Sequence, residues 1–305
     1  MNLKRTIKDI KKNGDLILLA LPAVLYIFVF SYIPLYGLIL PFKNYKYNLG
    51  FFKSPWVGFE NFKFLFTSDM LYTITRNTIL YNLVFIVLGG FVAVSLALML
   101  FELSRRLVKI YQTVMFFPYF ISWVVVSYIA LAFLDMEHGL FNVILEALGK
   151  EPVLWYSVPK YWPVILVLVN IWKGMGYGAI LYYAGLMGID NELFEAAKLD
   201  GASRLQQVRY VSLPMLKPLI TIMVILQIGR IFYGDFGLFY NVTLDSSMIR
   251  STAEVIDTYV YRSLRQLGDI GMASAAGLYQ AVVGFILVLL SNLAVRKINK
   301  DYALF

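Results

Sequence analysis

Six apolar stretches, each long enough to cross a hydrocarbon core, leave this chain few folds to choose from. They fall at about 16–40, 78–101, 113–134, 163–187, 213–234 and 275–295. A helix needs about 20 residues to span roughly 30 Å of lipid tails. Lipid offers backbone N–H and C=O groups no partner, so a spanning stretch must close its hydrogen bonds within itself, as helix. The expectation is an all-α polytopic membrane protein of six transmembrane helices. The bulk numbers agree: 60% of residues are hydrophobic and 15% charged, against about 45–50% and 25% in soluble domains. The chain has no Cys, which excludes a disulfide framework, a thiol nucleophile and an iron–sulfur site. His138 is the only His, so a His-built metal site is excluded too, and the isolated pair Glu137–His138 is too little for a catalytic one.

Charge sets the expected orientation. A net charge of +8 could point to nucleic acid, but the basic residues cluster beside the ends of apolar runs instead of forming a basic–aromatic patch. With the N-terminus in the cytoplasm, the inner segments hold 14 Lys/Arg and the longer outer connections 10. That is the positive-inside pattern with both termini cytoplasmic. The connection 41–77 strains it, because five basic residues fall outside, with Lys43, Lys46 and Lys53 close behind the first helix. The first apolar run is too long for a signal peptide and lacks a small-x-small cleavage site. Pro34 is expected to kink it. The resulting division is a tail 1–15, a first helix 16–40, an external connection 41–77, a core of five helices 78–295 containing a polar loop 188–212, and a cytoplasmic tail 296–305.

That polar loop is the most structured hydrophilic stretch. Asp190 is placed to cap a helix N-terminus, Glu192 and Glu195 suit its positive dipole end, and Gly201 supplies a stop or sharp turn. The small Ala196 and Ala197 would let this short helix lie close against a partner, with Glu195, Asp200, Arg204 and Arg209 rimming it in both signs of charge. A second piece then leads to Leu213-Pro214, with Pro214 in the first turn of the fifth helix, where its missing N–H costs nothing. The reading is a loop that another protein grips.

The spaced pattern Glu195-Ala196-Ala197, Gly201, Val211-Ser212-Leu213-Pro214 resembles the cytoplasmic signature loop of permease subunits of binding-protein-dependent ABC importers. Val211 stands where Ile is more usual. Phe194 and Leu199-Asp200-Gly201-Ala202-Ser203 are similar to the carbohydrate-uptake branch. Phe42-Lys43-Asn44-Tyr45, Ser54-Pro55-Trp56-Val57-Gly58-Phe59-Glu60-Asn61-Phe62 and the stretch 254–292 resemble a subgroup that carries pectin- and alginate-derived and other complex oligosaccharides. The resemblance implies a type I ABC-importer permease fold and a coupling helix seated in an ATPase subunit through Glu195, Ala196, Ala197, Asp200, Gly201, Arg204, Leu213 and Pro214. It also implies a second homologous permease, two ATP-binding subunits and an external solute-binding protein, free or lipid-anchored. The chain would bind no cofactor itself, since it has no Gly-x-x-x-x-Gly-Lys-Ser/Thr loop. ATP and Mg would belong to the partner ATPases.

Polar groups inside spans are functional candidates by default. Trp172, Lys173 and Tyr177 lie near the middle of the fourth run. Gln227, Arg230 and Gly234 fall at i, i+3 and i+7 on the fifth, with Tyr233 and Asp235 at its outer end. Gly277, Gln280 and Gly284 make a small polar stripe on the sixth. Two readings stand side by side: a polar path for a sugar, with aromatic faces for stacking and cations for acidic groups, or ties and close packing between helices. Between the fifth and sixth runs, Ile256, Val260, Leu264 and Leu267 recur at helical spacing, which predicts an amphipathic helix along the membrane surface or at the mouth of the bundle, with Asp257, Arg262 and Arg265 facing away. A permease for a peptide or small ion, a self-sufficient secondary transporter and a non-transporting scaffold are the alternatives.

Overall fold

The computed structural model describes residues 13–67 and 69–298. Lys4, Arg5, Lys8, Lys11 and Lys12, which carry the inward bias of the N-terminal tail, and the tail beyond Ile298 lie outside the described residues. In chain order the main helices are α1 (Gly14–Phe42), α2 (Glu60–Thr67), α3 (Asp69–Phe101), α4 (Arg105–Phe120), α5 (Trp123–Leu134), α6 (Leu140–Ala147), α7 (Trp162–Met187), α8 (Asn191–Leu199), α9 (Arg204–Ile228), α10 (Ile256–Arg265) and α11 (Ile270–Ile298). Among the described residues the β structure is an isolated antiparallel bridge between Lys43 and Trp56. Five helices, α1, α3, α7, α9 and α11, are long and apolar enough to cross a membrane, and α4 with α5 makes a sixth, broken span bent by 98°. One end of the bundle, the lower, carries residues 102–104 and 188–203; the upper end carries 43–67, 135–161 and 229–269.

The broken span corrects the expectation of one helix over 113–134. Ile121 and Ser122 are extended, with ψ of 131° and 151°, and the Ser122 hydroxyl caps α5 by accepting from Val125 N–H at 3.3 Å. Pro118 sits in the last turn of α4, where it has no N–H to donate to the carbonyl four residues earlier and so weakens that turn. With 12 residues α5 is about 18 Å long, too short to cross alone. Gly176 of α7 makes the crossing with α4 close: a Cβ there would collide with the Met115 carbonyl.

Two more boundaries move. The second span begins at Asp69, not near 78, because tertiary partners satisfy its polar first turns. Asn77 donates to the carbonyls of Ser251 (3.3 Å) and Glu254 (2.9 Å), the Tyr81 hydroxyl to that of Thr252 (2.8 Å), and the Thr78 hydroxyl accepts from Ile256 N–H (3.1 Å). The fifth span, expected over 213–234, instead runs Arg204–Ile228. Pro214 is therefore inside a continuous helix. Its missing N–H is absorbed by a wider π turn at Val208–Ser212, as the π turn Phe28–Tyr32 does ahead of Pro34 in α1.

The connection after α9 is a cap on the upper end, and α10 turns a different face inward from the one expected. Ile256, Tyr259, Arg262 and Ser263 are buried while Leu264 and Leu267 are exposed. The Arg262 guanidinium forms ion pairs with Asp245 and Glu254. Leu244 and Asp245 both hold left-handed backbone, φ 54° and 49°, which aims the Asp245 carboxylate at that Arg. The charge that burdens connection 41–77 is partly internal: Lys43 is 2% exposed and donates to the carbonyls of Phe51 (2.7 Å) and Phe52 (3.0 Å).

Candidate functional site

Two features gather the residues singled out from the sequence: a protruding handle at the lower end and a cavity between spans. The handle is built as its composition suggests. Asp190 caps α8 by accepting from Glu192 N–H at 3.0 Å. Gly201 ends it at φ +78°, a conformation that costs a side-chain-bearing residue. Ser203 and Gln206 then form a reciprocal capping box that opens α9, with Ser203 N–H donating to Gln206 Oε1 at 2.7 Å. The second part of the handle is thus the first turn of a span.

Glu195, Ala196, Asp200 and Gly201 are exposed and Ala197 is half-buried, so this face is open to a partner. Arg204, exposed as a rim residue would be, also forms an ion pair with Glu102 at the end of α3. Leu213 and Pro214 lie within α9, above the handle. The spacing argument misses the most protruding apolar residues, Leu199 (90% exposed) and Leu205 (78%). Two lone leucines in a charged stretch are the signal that could have found them. Phe194, buried, holds α8 against the bundle with its ring 5.5 Å from that of Phe101.

The cavity, of about 530 Å³, opens between α3, α7 and α9. It collects three of the eight path candidates, Tyr177, Gln227 and Arg230, and adds Asn82 and Asn170. Arg230 is the only charged residue of the lining, and among the described residues its guanidinium has no hydrogen-bond or ion-pair partner. The glycines Gly89, Gly90, Gly174 and Gly178 keep the walls low.

The other five candidates lie outside the lining of this cavity. Trp172 faces away from this cavity into an apolar recess with Val126, Phe133 and Leu168. Lys173 donates to the carbonyls of Tyr119 (2.8 Å) and Pro118 (3.4 Å) and lies 5.1 Å from the centre of the Trp123 ring. Those carbonyls end α4, so the ammonium caps the break. Asp235 accepts from Leu238 N–H at 3.3 Å and from the Trp123 side chain, and its charge faces Lys173. Gln280 is buried and donates to the Phe232 carbonyl (2.6 Å) and to Asp257 (3.1 Å). Tyr233 is half-exposed beyond the end of α9, its carbonyl accepting from Asn82 at 3.2 Å. Gly234 also lies past the helix end, its N–H donating to Asp257 at 2.6 Å, so the i, i+3, i+7 stripe is not a stripe. Among the described residues no group of three or more His, Cys, Asp or Glu is placed to hold a metal ion.

A bundle of membrane-spanning helices, a mostly apolar cavity between them that carries Asn, Gln and Arg side chains, and a structured handle at one end define the membrane component of a transporter. Residues 85–300 match the family of binding-protein-dependent transport system inner membrane components, and the chain belongs to that family. It is 33% identical to Protein LplB of Bacillus subtilis, over 96% of this chain and 92% of that one. It is 32% identical to the polygalacturonan/rhamnogalacturonan transport system permease YteP of the same organism, over 98% and 92%. The crystal structure of a bacterial alginate ABC transporter, in complex with its alginate pentasaccharide-bound periplasmic protein, contains a chain that superposes with a TM-score of 0.87 at 32% identity, over 96% of this chain and 98% of that one. The protein is accordingly a multi-pass inner-membrane ABC permease of type I fold, a conduit and not an enzyme.

Proposed function

We propose that this permease forms half of the pore through which an acidic oligosaccharide, delivered by an external binding protein, is imported at the expense of ATP. Arg230 carries the acidic part of this reading: a guanidinium without an internal partner, in a cavity with no carboxylate in its lining, attracts an anion. The relatives point the same way, since polygalacturonan and alginate are both polymers of acidic sugars. Tyr177 offers a ring face, and Asn170 and Gln227 offer amides to hydroxyls. A second, homologous permease closes the open side of the cavity.

The lower end faces the cytoplasm, with both termini, and there α8 docks on one of two ATPase subunits through Glu195, Ala196, Ala197, Asp200, Leu199 and Leu205. Those subunits bind and hydrolyse ATP with Mg. Closure of the ATPase pair carries α8 with it, and because α9 starts within the handle, the movement passes straight into a span. Transport then follows from ATP favouring one of two arrangements of the bundle, as any such switch requires. The internal engagement of Lys43 supports this orientation, because that lysine is not a free charge on the outer side.

The assay is uptake into vesicles holding the complete transporter. Glu195→Lys and Gly201→Val are expected to abolish uptake while the protein stays inserted and assembled; normal uptake after both changes refutes the coupling role. Arg230→Gln is expected to weaken uptake of an oligogalacturonate several-fold. Uptake confined to neutral glycans, and indifferent to this change, refutes the acidic cargo.

A further inference from the structure

The handle is expected to move α7 and α9, the spans that flank it in sequence. Its side chains lean on a third helix. Phe194, the only buried residue of α8, packs its ring on Phe101, the last residue of α3, at 5.5 Å. Two turns of chain later Arg204 forms its ion pair with Glu102, the next residue along. Both contacts fall on the same end of α3, from opposite sides of Gly201. Above them α3 is packed tightly on α7: Ala93 and Ala97 are buried, and a Cβ on Gly178 would come within 2.8 Å of Ala93 Cβ. Small residues facing each other let helix backbones approach closely and move as one body.

We infer that Phe101 and Glu102 are positioning residues for energy coupling: they fasten the lower end of α3 to the handle, so that α3, α7 and α9, the three walls of the cavity, are displaced together. The inference rests on the coupling role proposed for the handle. The ring contact is the stronger fastening. The ion pair is exposed, 80% at Arg204 and 37% at Glu102, and such pairs hold weakly; its part is to fix the register of the handle against rotation about the ring contact. Packing on α7 carries the upper part of α3 along, and without the tie its lower end at Phe101 and Glu102 would lag behind the handle.

The absence of Cys from the chain makes a direct test possible. Phe101→Cys with Phe194→Cys, in the complete transporter in vesicles, removes the ring contact and allows it to be replaced by a covalent one. With the thiols reduced, sugar imported per ATP hydrolysed should fall several-fold while ATPase subunits still co-purify. Cross-linking with a short thiol-specific reagent should restore the ratio. The inference is overturned if the reduced form couples like the parent, if cross-linked protein stops transporting and recovers on reduction, or if no cross-link forms with or without nucleotide. Phe101→Leu with Phe194→Leu, which keeps an apolar contact, should couple near-normally; failure of the leucine pair to couple despite normal assembly also overturns it. Exchanging the charges, Glu102→Arg with Arg204→Glu, should couple better than either single change. Glu195→Lys serves as control: if that change also leaves coupling intact, the handle's role has failed, and if only the Phe101 and Glu102 changes are silent, the fastening alone has failed.

Discussion

The two ends of this bundle are held in opposite ways. The upper cap, residues 229–267, is sewn to the spans by buried polar groups: Asn77 and Tyr81 of α3 donate to its carbonyls, Thr78 accepts from its first helical N–H, and Arg262 is enclosed between two carboxylates. The handle at the lower end touches the spans through a phenylalanine pair and an exposed ion pair, and offers most of its surface outward. A buried charge network is costly to disturb because each partner left behind is stranded without solvent. An exposed loop helix is cheap to displace, and regions that move in function are drawn from such low-stability parts. The contrast agrees with the coupling role proposed for the handle: a firmly held upper end and a lower end that is cheap to displace.

Changes at the two ends should therefore fail differently, and the largest effect is expected above. Arg262→Ala strands the buried Glu254 carboxylate and leaves Asp245 only Gln266 and the more distant Arg250, and should cost about 3–5 kcal/mol, read as loss of folded protein in detergent and a lower thermal midpoint. An unaltered midpoint would place the cap among the mobile parts. Lys173→Met removes the ammonium from the carbonyls that end α4. Loss of a charge-assisted cap of this kind costs about 1–3 kcal/mol, and Lys173→Arg should recover part of it. Because the break joins the lower half-span to the upper one, both stability and uptake should drop, the single position where the two failures coincide. Gly201→Val imposes a left-handed backbone on a branched residue at a cost of about 1–2 kcal/mol, paid locally in the handle, so the midpoint should barely move while uptake is lost. If the midpoint falls as far as for Arg262→Ala, the handle is not the loose end.

The smallest effect separates the ends by pH. Burial holds the Asp257 carboxyl above its usual range, against the opposing hydrogen bonds from Gly234 N–H and Gln280. A carboxyl whose pKa is raised on folding binds its proton more tightly in the native state, so its contribution falls as pH rises above 3.8 through the raised value and is then constant. The thermal midpoint of the intact protein should decline slightly over that window, and Asp257→Asn should flatten the decline. A midpoint that rises through the same window in the parent and not in the variant has the wrong sign.

What could be read from the sequence was whatever depends on local chemistry. Hydropathy found the spans, and the cap at Asp190 and the turn at Gly201 follow from side chains acting on their own backbone. What could not be read depends on distant partners. Averaged hydropathy across 113–134 is blind to the extended pair Ile121–Ser122. Asp69–Asn77 looks too polar for a helix start until the carbonyls of 251–254 are brought to it. Arg262 looks like a surface residue because nothing nearby in sequence announces Asp245 and Glu254. The same reason divides the path candidates: Lys173 and Gln280 are polar within spans, but their partners, the carbonyls of Pro118, Tyr119 and Phe232 and the Asp257 carboxylate, come from distant parts of the chain.

The π turn at Val208–Ser212 has a consequence for phase. Widening one turn inserts a residue into the helical count, which rotates everything below it by about 100° relative to an unbroken helix. The face that the handle turns outward is therefore set by Pro214, a residue inside the span and not on α8. Deleting one residue between Gln207 and Ser212 would leave every handle side chain intact and aim them at a different point of the compass.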